Sequence, residues 1–415
     1  MSIRGSSSLR KKVDWLLRRA EGALLPDEVE EARHLDPAGA RRRLDEIAAE
    51  HGDISFAPRL ARLDAAAAGD GDRDDYLDRF GCAGVRRFRA NTGATIYMMA
   101  VETFPRHINN IYLVIEPGHT LLFDVGSGSD TSRRDLDLGF AVVRAAFGED
   151  ARHERVDTAV VSHAHIDHFG GVHDVRRRTQ ARLLVHELDA RVLACFDERV
   201  VLATKDVEVY LRRAGVSDDD LARLIELYAS SRSWFKPLSV DGALRDGDLV
   251  GPGYRVIHTP GHCPGQICLL VGDVLLTSDH VLARITPHQF PQAITPFGGL
   301  EHYFASLEKV RRVEGVRIAL GGHEEPIGDV PTRLDEIAAF HRGRLDRVAE
   351  ICAAPRTIVE ISAALFGAHE GYGAILAIEE AGAHVEYLHA RGLLRVENLE
   401  EVAKARDPVL RYQRR

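Results

Sequence analysis

The sequence predicts a mixed α/β protein, and three observations carry the prediction. Short apolar, β-branched runs such as Thr158-Ala159-Val160-Val161 and Tyr254-Arg255-Val256-Ile257 read as buried strands. Turns rich in histidine, glycine and aspartate close these runs, the place where an α/β fold carries its chemistry. Helical apolar spacing marks both ends of the chain and a long segment in its middle.

At the N-terminal end, residues 8 to about 90 show this spacing at Val13, Leu16, Leu17 and Ala20, and again at Leu44, Ile47 and Ala48. Pro26, Pro37 and Pro58 punctuate the stretch, so residues 1–94 read as a helical extension. Its Arg41-Arg42-Arg43 run suits a solvated helix face, and Ala65 to Asp72 reads as a loop or helix end. The core is expected to begin near Ile96, with Asn109 to Val114 and Leu121-Leu122-Phe123-Asp124-Val125-Gly126 as opening strands and a turn.

Next comes His163-Ala164-His165-Ile166-Asp167-His168, on the loop that leaves the Val156 to Ser162 strand. Three imidazoles and a carboxylate at this spacing can converge on a metal ion, because neutral imidazole and carboxylate are zinc's nitrogen and oxygen ligands; related sites also hold iron or manganese. Further along, His258-Thr259-Pro260-Gly261-His262 follows a strand, and its proline and glycine force a turn that can aim His262 inward. The strand Asp273 to Ser278 ends in Asp279, a carboxylate whose two oxygens can each serve one cation. Finally, the apolar run Val316 to Leu320 passes through Gly321-Gly322 into His323.

These motifs resemble the metallo-β-lactamase-fold hydrolases in order and spacing: HxHxDH, a Gly-His, an Asp and a last Gly-His, over roughly residues 95–330. The resemblance implies an αββα sandwich in residues 95–335. It also implies two divalent transition-metal ions, zinc first, with iron or manganese as the alternatives. One would be held by His163, His165 and His262 and the other by Asp167, His168 and His323, with Asp279 and a hydroxide bridging them. Asp167 would also take a proton from the attacking water, and Asp124 is a candidate acceptor for a ligand N–H or an ordinary turn residue.

The segment from about 187 to 240 reads as a helical insertion able to cover the site. Its Tyr210, Tyr228, Trp234 and Phe235 would form either substrate walls or the insertion's own core. The proline-bounded loop Arg284 to Pro291 offers His288 as a candidate proton donor. Residues 336–415, with helical spacing from Pro355 to Phe366 and from Ile375 to Leu388 and a short strand at Gly392 to Val396, resemble the winged-helix tail of relatives that include endoribonucleases and thioesterases. Residues 341–415 carry 11 Lys/Arg against 11 Asp/Glu, no basic excess for phosphate binding, so packing or homodimerisation is the expected role.

Composition narrows the classes. The 415 residues, 45% hydrophobic and 28% charged, suffice for two or three units with a large core. A net charge of −9 argues against nonspecific attraction to nucleic acid or anionic membrane. Five scattered cysteines, Cys82, Cys195, Cys263, Cys268 and Cys352, form no disulfide framework and fit a reducing cytoplasm; Cys263 reads as a small buried residue. No apolar leader or membrane span is evident. The expected function is binuclear hydrolysis of an ester-like carbonyl in a small molecule, a thioester ahead of a lactone. The alternative is a phosphodiesterase or endoribonuclease acting on single-stranded nucleic acid.

Overall fold

The computed structural model describes residues 55–56 and 84–415. The helical readings at Val13 to Ala20 and Leu44 to Ala48, the Arg41 to Arg43 run, the Ala65 to Asp72 stretch and Cys82 lie outside the described residues.

An eight-stranded sheet runs in chain order: β1 (Ser55–Phe56), β2 (Val85–Arg89), β3 (Thr95–Phe104), β4 (His107–Glu116), β5 (His119–Phe123), β6 (Thr158–Val161), β7 (Arg182–His186) and β8 (Gly242–Leu244). β1 to β5 pair antiparallel, whereas β5 to β8 pair parallel. A second sheet has the order β13-β12-β11-β10-β9, built from β9 (Leu249–Val250), β10 (Tyr254–His258), β11 (Ile267–Val271), β12 (Val274–Ser278) and β13 (Ile318–Gly321). The helices are α1 (Asp130–Val142), α2 (Ile166–Phe169), α3 (Val172–Arg178), α4 (Glu187–Ala194), α5 (Phe196–Ala214), α6 (Asp218–Ser230), α7 (Leu300–Arg311), α8 (Val330–Ile351), α9 (Ile358–Phe366), α10 (Tyr372–Ala390) and α11 (Leu399–Lys404). After α10 a small antiparallel pair, β14 (Leu394–Val396) and β15 (Tyr412–Arg414), completes the tail.

Strand periodicity sets the layers, since successive side chains point to opposite faces. In β3, Ile96 and Met98 enter the core between the two sheets, where they join Val114, Phe123, Val256, Leu269, Leu276 and Leu320. The alternate residues Tyr97, Met99 and Val101 face the other way and pack with Phe140 of α1. On the far side of the second sheet, Ile257, Cys268, Leu275 and Ala319 pack against Tyr303 and Leu307 of α7 and Leu334 and Ile337 of α8. The result is the four-layer αββα sandwich. β6 is buried along its whole length, which explains its unbroken apolar run in the sequence.

The middle insertion and the tail share one apolar core. Leu211 of α5 and Leu224 of α6 pack with Leu345, Ile361, Ile375, Val385 and Leu388. Tyr210 donates from its hydroxyl to the Ile378 carbonyl (3.3 Å). It lies so close to Gly382 that a Cβ there would meet the hydroxyl at 1.6 Å, so a glycine is required for α10 to approach α5. Phe235 packs between Phe169 (4.8 Å) and Phe196 (5.3 Å) in the first sheet's outer core. Of the four insertion aromatics, Phe235 is thus core, Tyr210 and Tyr228 pack along the shared core, and Trp234 is 54% exposed.

α10 also buries Glu379, which is 3% exposed, and burial pushes its carboxyl up from 4.5 to about 8. The folded chain then holds a proton that the unfolded chain has already released across that interval. Stability from this group therefore falls as pH rises from about 4.5 to 8. Glu379→Gln should leave the thermal midpoint little changed at about pH 4.5 and raise it by several degrees at about pH 8.5. A midpoint difference that does not vary with pH would count against this account. No helix among the described residues is long and apolar enough to cross a membrane.

Candidate metal centre

Four strand ends bring the polar residues together. The loop after β6 carries His163 and His165 and runs into α2, which carries Asp167 and His168; the turn after β10 carries His262, Asp279 directly follows β12, and β13 leads into His323. The strands are tied at this end of the sandwich: Ile267 N–H donates to the Ser162 carbonyl (2.9 Å), Gly322 N–H to that of Ser278 (2.7 Å), and Asn110 N–H to that of Gly322 (2.7 Å). The loops are therefore fixed to both sheets.

The nitrogen and oxygen atoms fall into compact groups able to hold metal. His163, His165 and His262 form one; His163, His168 and Asp279 form another; and Asp167 and His323 converge with His107. His163 Nε2 lies 3.0 Å from His165 Nδ1. Asp279 faces His168 Nε2 at 3.4 Å, His323 Nε2 at 3.3 Å and His262 Nε2 at 3.7 Å. Asp167 lies 3.3 Å from His168 Nε2 and 3.7 Å from His323 Nε2. All seven residues named from the sequence meet in this one region.

The other ring nitrogens are already committed, which sets the tautomers. His168 Nδ1–H donates to Asp124 (2.9 Å), His262 Nδ1–H to the His288 carbonyl (2.8 Å), and His323 Nδ1–H to the Ile108 carbonyl (2.7 Å). Each ring thus turns its Nε2 inward, as outer partners do in metal sites. Two of the inward atoms, His262 Nε2 and Asp279 Oδ1, are buried with no hydrogen-bond partner. A buried imidazole nitrogen and carboxylate oxygen left without partners are costly, and a divalent cation would satisfy both. The residues present therefore fit divalent metal.

Charge in the cluster follows the same pairing. Burial, helped by neighbouring imidazoles, holds His163 well below its usual range and His165 down to about 3. For His168, burial opposes ionisation, but Asp279, Asp167 and Asp124 outweigh it and push the ring well above its usual value. Burial would raise Asp279, yet His323 and His168 hold it well below the ordinary carboxylate range.

Several further side chains surround the seven. Asp124, held at φ 65°, accepts from Ser162 N–H (2.7 Å), Ser162 Oγ–H (2.9 Å) and His168, so it orients a candidate ligand. Asp189 accepts from Ala164 N–H (2.8 Å) and Gly265 N–H (2.9 Å), joining the two histidine loops, and burial lifts it to about 6. Cys263 points its thiol at Asp189 (3.4 Å), and burial beside that carboxyl drives the thiol far up, which makes it inert. Asn109 donates to Asp167 (3.0 Å), and half-exposed His107 lies 3.1 Å from the same oxygen. His288 turns its ring away towards α10, with Nδ1 3.3 Å from Glu380 and Nε2 3.8 Å from Glu379.

A family profile described as the metallo-beta-lactamase superfamily matches residues 105–323, and the chain belongs to that superfamily of metal-dependent hydrolases. Among solved structures it resembles a metallo-beta-lactamase family protein from Thermus thermophilus, at 26% identity and a TM-score of 0.62, over 77% of this chain and 98% of the other. A beta-lactamase domain protein from Burkholderia ambifaria shares the fold at 24% identity and a TM-score of 0.62, over 80% of this chain and 94% of its own. No curated protein matches the sequence.

Proposed function

We propose that the chain is a binuclear hydrolase of ester-like carbonyls in small molecules, with thioesters ahead of lactones. In this reading His163, His165 and His262 hold one divalent ion, Asp167, His168 and His323 hold the second, and Asp279 lies between them; zinc is the first choice of metal. When bound, such a pair supplies Lewis acidity and water ionised near neutral pH. The remaining work falls to the protein. Asp167, which accepts from Asn109 and lies beside His107, would take a proton from the attacking water. Trp234 lies 6.2 Å from Phe104, which is 6.3 Å from His107, giving an aromatic rim beside the ligands on which an acyl group can rest.

The observation that carries the preference for thioesters is the fate of the residue after Asp279. His280 is wholly buried, and its ring packs edge-on against Tyr303 (5.4 Å). Its burial in the core beside Tyr303 keeps the ring from reaching a leaving group. A thiolate leaves unaided because its conjugate thiol has a pKa of about 8.5, whereas an alkoxide needs protonation. His288, the proposed donor for such poorer leaving groups, would have to turn its ring from Glu379 and Glu380 of α10 to reach one. Like-for-like comparison of kcat/KM on a thioester, a lactone and single-stranded RNA, with metal-loaded protein, should rank the thioester first. A dominant RNA activity would instead establish the phosphodiesterase alternative, which the absence of basic excess in the tail disfavours.

The unit boundaries read at 94/95 and 335/336 cut through packed elements, since β2 pairs with β3 across the first and α8 (Val330–Ile351) runs through the second. The winged-helix likeness of the tail rests on α8, α9 and α10 followed by the antiparallel pair β14 and β15, with the short α11 between the two strands. Its extensive core shared with α5 and α6 favours a packing role.

A further inference from the structure

We propose that Glu380, on the tail helix α10, is a positioning residue for the metal site, acting on His262 through the single peptide unit that joins His288 to Gln289. The inference rests on reading His262 as a metal ligand.

The residues between Asp279 and Gly299 contain no helix or strand. Such a segment has no ladder to fix its peptide planes, and its buried polar groups need partners from elsewhere. One of those planes matters directly, because the His288 carbonyl accepts the Nδ1–H of His262 (2.8 Å). The N–H of the same planar unit belongs to Gln289, and it donates to Glu380 Oε2 at 2.6 Å. A peptide unit is rigid, so it cannot turn its carbonyl from His262 without pulling its N–H from Glu380. A charge-assisted bond at one end also polarises the unit and strengthens the acceptor at the other. A second carboxylate of α10, Glu386, accepts from Gln292 N–H (2.5 Å) and Ala293 N–H (3.0 Å), which anchors the segment further along without touching the His288–Gln289 unit.

Glu380 is itself held on all sides. It is 7% exposed, paired with Arg344 of α8, and 3.3 Å from His288 Nδ1. Below it His341 Nδ1 meets His384 Nε2 at 3.2 Å, while His384 Nδ1–H donates to the Glu380 carbonyl (2.7 Å). These three residues could be read as a further cation site. The Arg344 guanidinium already neutralises the Glu380 carboxylate, however, and both His384 nitrogens are engaged. The cluster is better described as a buried support that presents one carboxylate to one peptide N–H.

The test measures the two metal affinities separately, by chelator competition with Zn²⁺ and by the visible spectrum of Co²⁺-loaded protein. Glu380→Ala should weaken one equivalent by roughly 10- to 100-fold, the usual cost of removing an outer partner, and leave the other near its original value. Glu380→Gln, which still offers an oxygen to Gln289, should recover to within about threefold. Glu386→Ala, which loosens the same segment elsewhere, should leave both equivalents within about threefold. Unchanged affinities in a folded Glu380→Ala, or equal losses at both metals in Glu380→Ala and Glu386→Ala, would overturn the proposal. If Glu380→Ala does not fold, ¹⁵N-histidine NMR of the unmutated chain decides: Nδ1-protonated His262 is expected, and an Nε2-protonated ring would refute it. His262→Ala separates the two readings, because full retention of both metals there removes the ligand assignment whatever Glu380 does.

Discussion

Asp279→Ala is expected to cut activity severely and to weaken both metal positions together. The carboxylate faces His168, His262 and His323 within 3.3–3.7 Å, so it touches ligands from both proposed groups. Its Oδ1 is buried without a hydrogen-bond partner. Removing it also removes the negative charge that balances the cations, and leaves imidazoles crowded around an apolar methyl group. Elemental analysis should fall from about two equivalents to less than one, and kcat/KM should drop on the order of 10³-fold, about 4 kcal/mol of transition-state stabilisation. Asp279→Asn keeps the shape and loses the charge, so it should show nearly the same loss. Two retained equivalents in a folded Asp279→Ala would remove this residue from the centre.

What the sequence made legible was the set of residues whose chemistry forced their spacing. The HxHxDH run, His262, Asp279 and His323 each follow a short buried strand, which the apolar runs marked, and the resemblance to the metallo-β-lactamase fold implied that they share one site. The helices of the insertion and the tail were equally visible: α5 and α6 fall inside the segment read as helical from about 187 to 240, and α10 extends two or three residues beyond the Ile375 to Leu388 stretch at each end. β2 was missed. Its Val85-Arg86-Arg87-Phe88-Arg89 carries three arginines, yet Val85 and Phe88 are buried and the strand pairs with β3, so the last part of the region read as a helical extension is sheet. Asp189 and Glu380 were invisible for a different reason. Each acts on a backbone N–H far away in sequence, 76 residues for the Asp189–Gly265 bond and 91 for the Glu380–Gln289 bond, and such contacts leave no local pattern. Asp124 lies between these cases, since its turn was recognised but the donors from Ser162, His168 and Ser278 that converge on it were not.

Gly322→Ala is expected to keep the fold and lose the metals. A Cβ at this position would lie 2.2 Å from Asp279 Oδ1, 2.9 Å from His168 Cε1 and 3.2 Å from the Ser278 carbonyl carbon. Something must move, and the backbone is the least able to do so: Gly322 donates to Ser278 and accepts from Asn110, both at 2.7 Å. His168 is pinned by Asp124 on its far side. The carboxylate of Asp279 is left as the group that yields, and it can yield only by rotating out of the position where it faces three histidines. Affinity should weaken by at least about 10- to 100-fold, the scale seen when the surroundings of a ligand are disturbed. Gly328→Ala, with nothing within 4 Å of the new methyl group, serves as the control and should bind metal normally. Because Asp279 itself is still present in Gly322→Ala, loss of metal with an unchanged circular dichroism spectrum would show that the orientation of this carboxylate is what the site requires. Full occupancy in Gly322→Ala would mean that the carboxylate has room to serve from a second position, and the tight geometry described for it would be wrong.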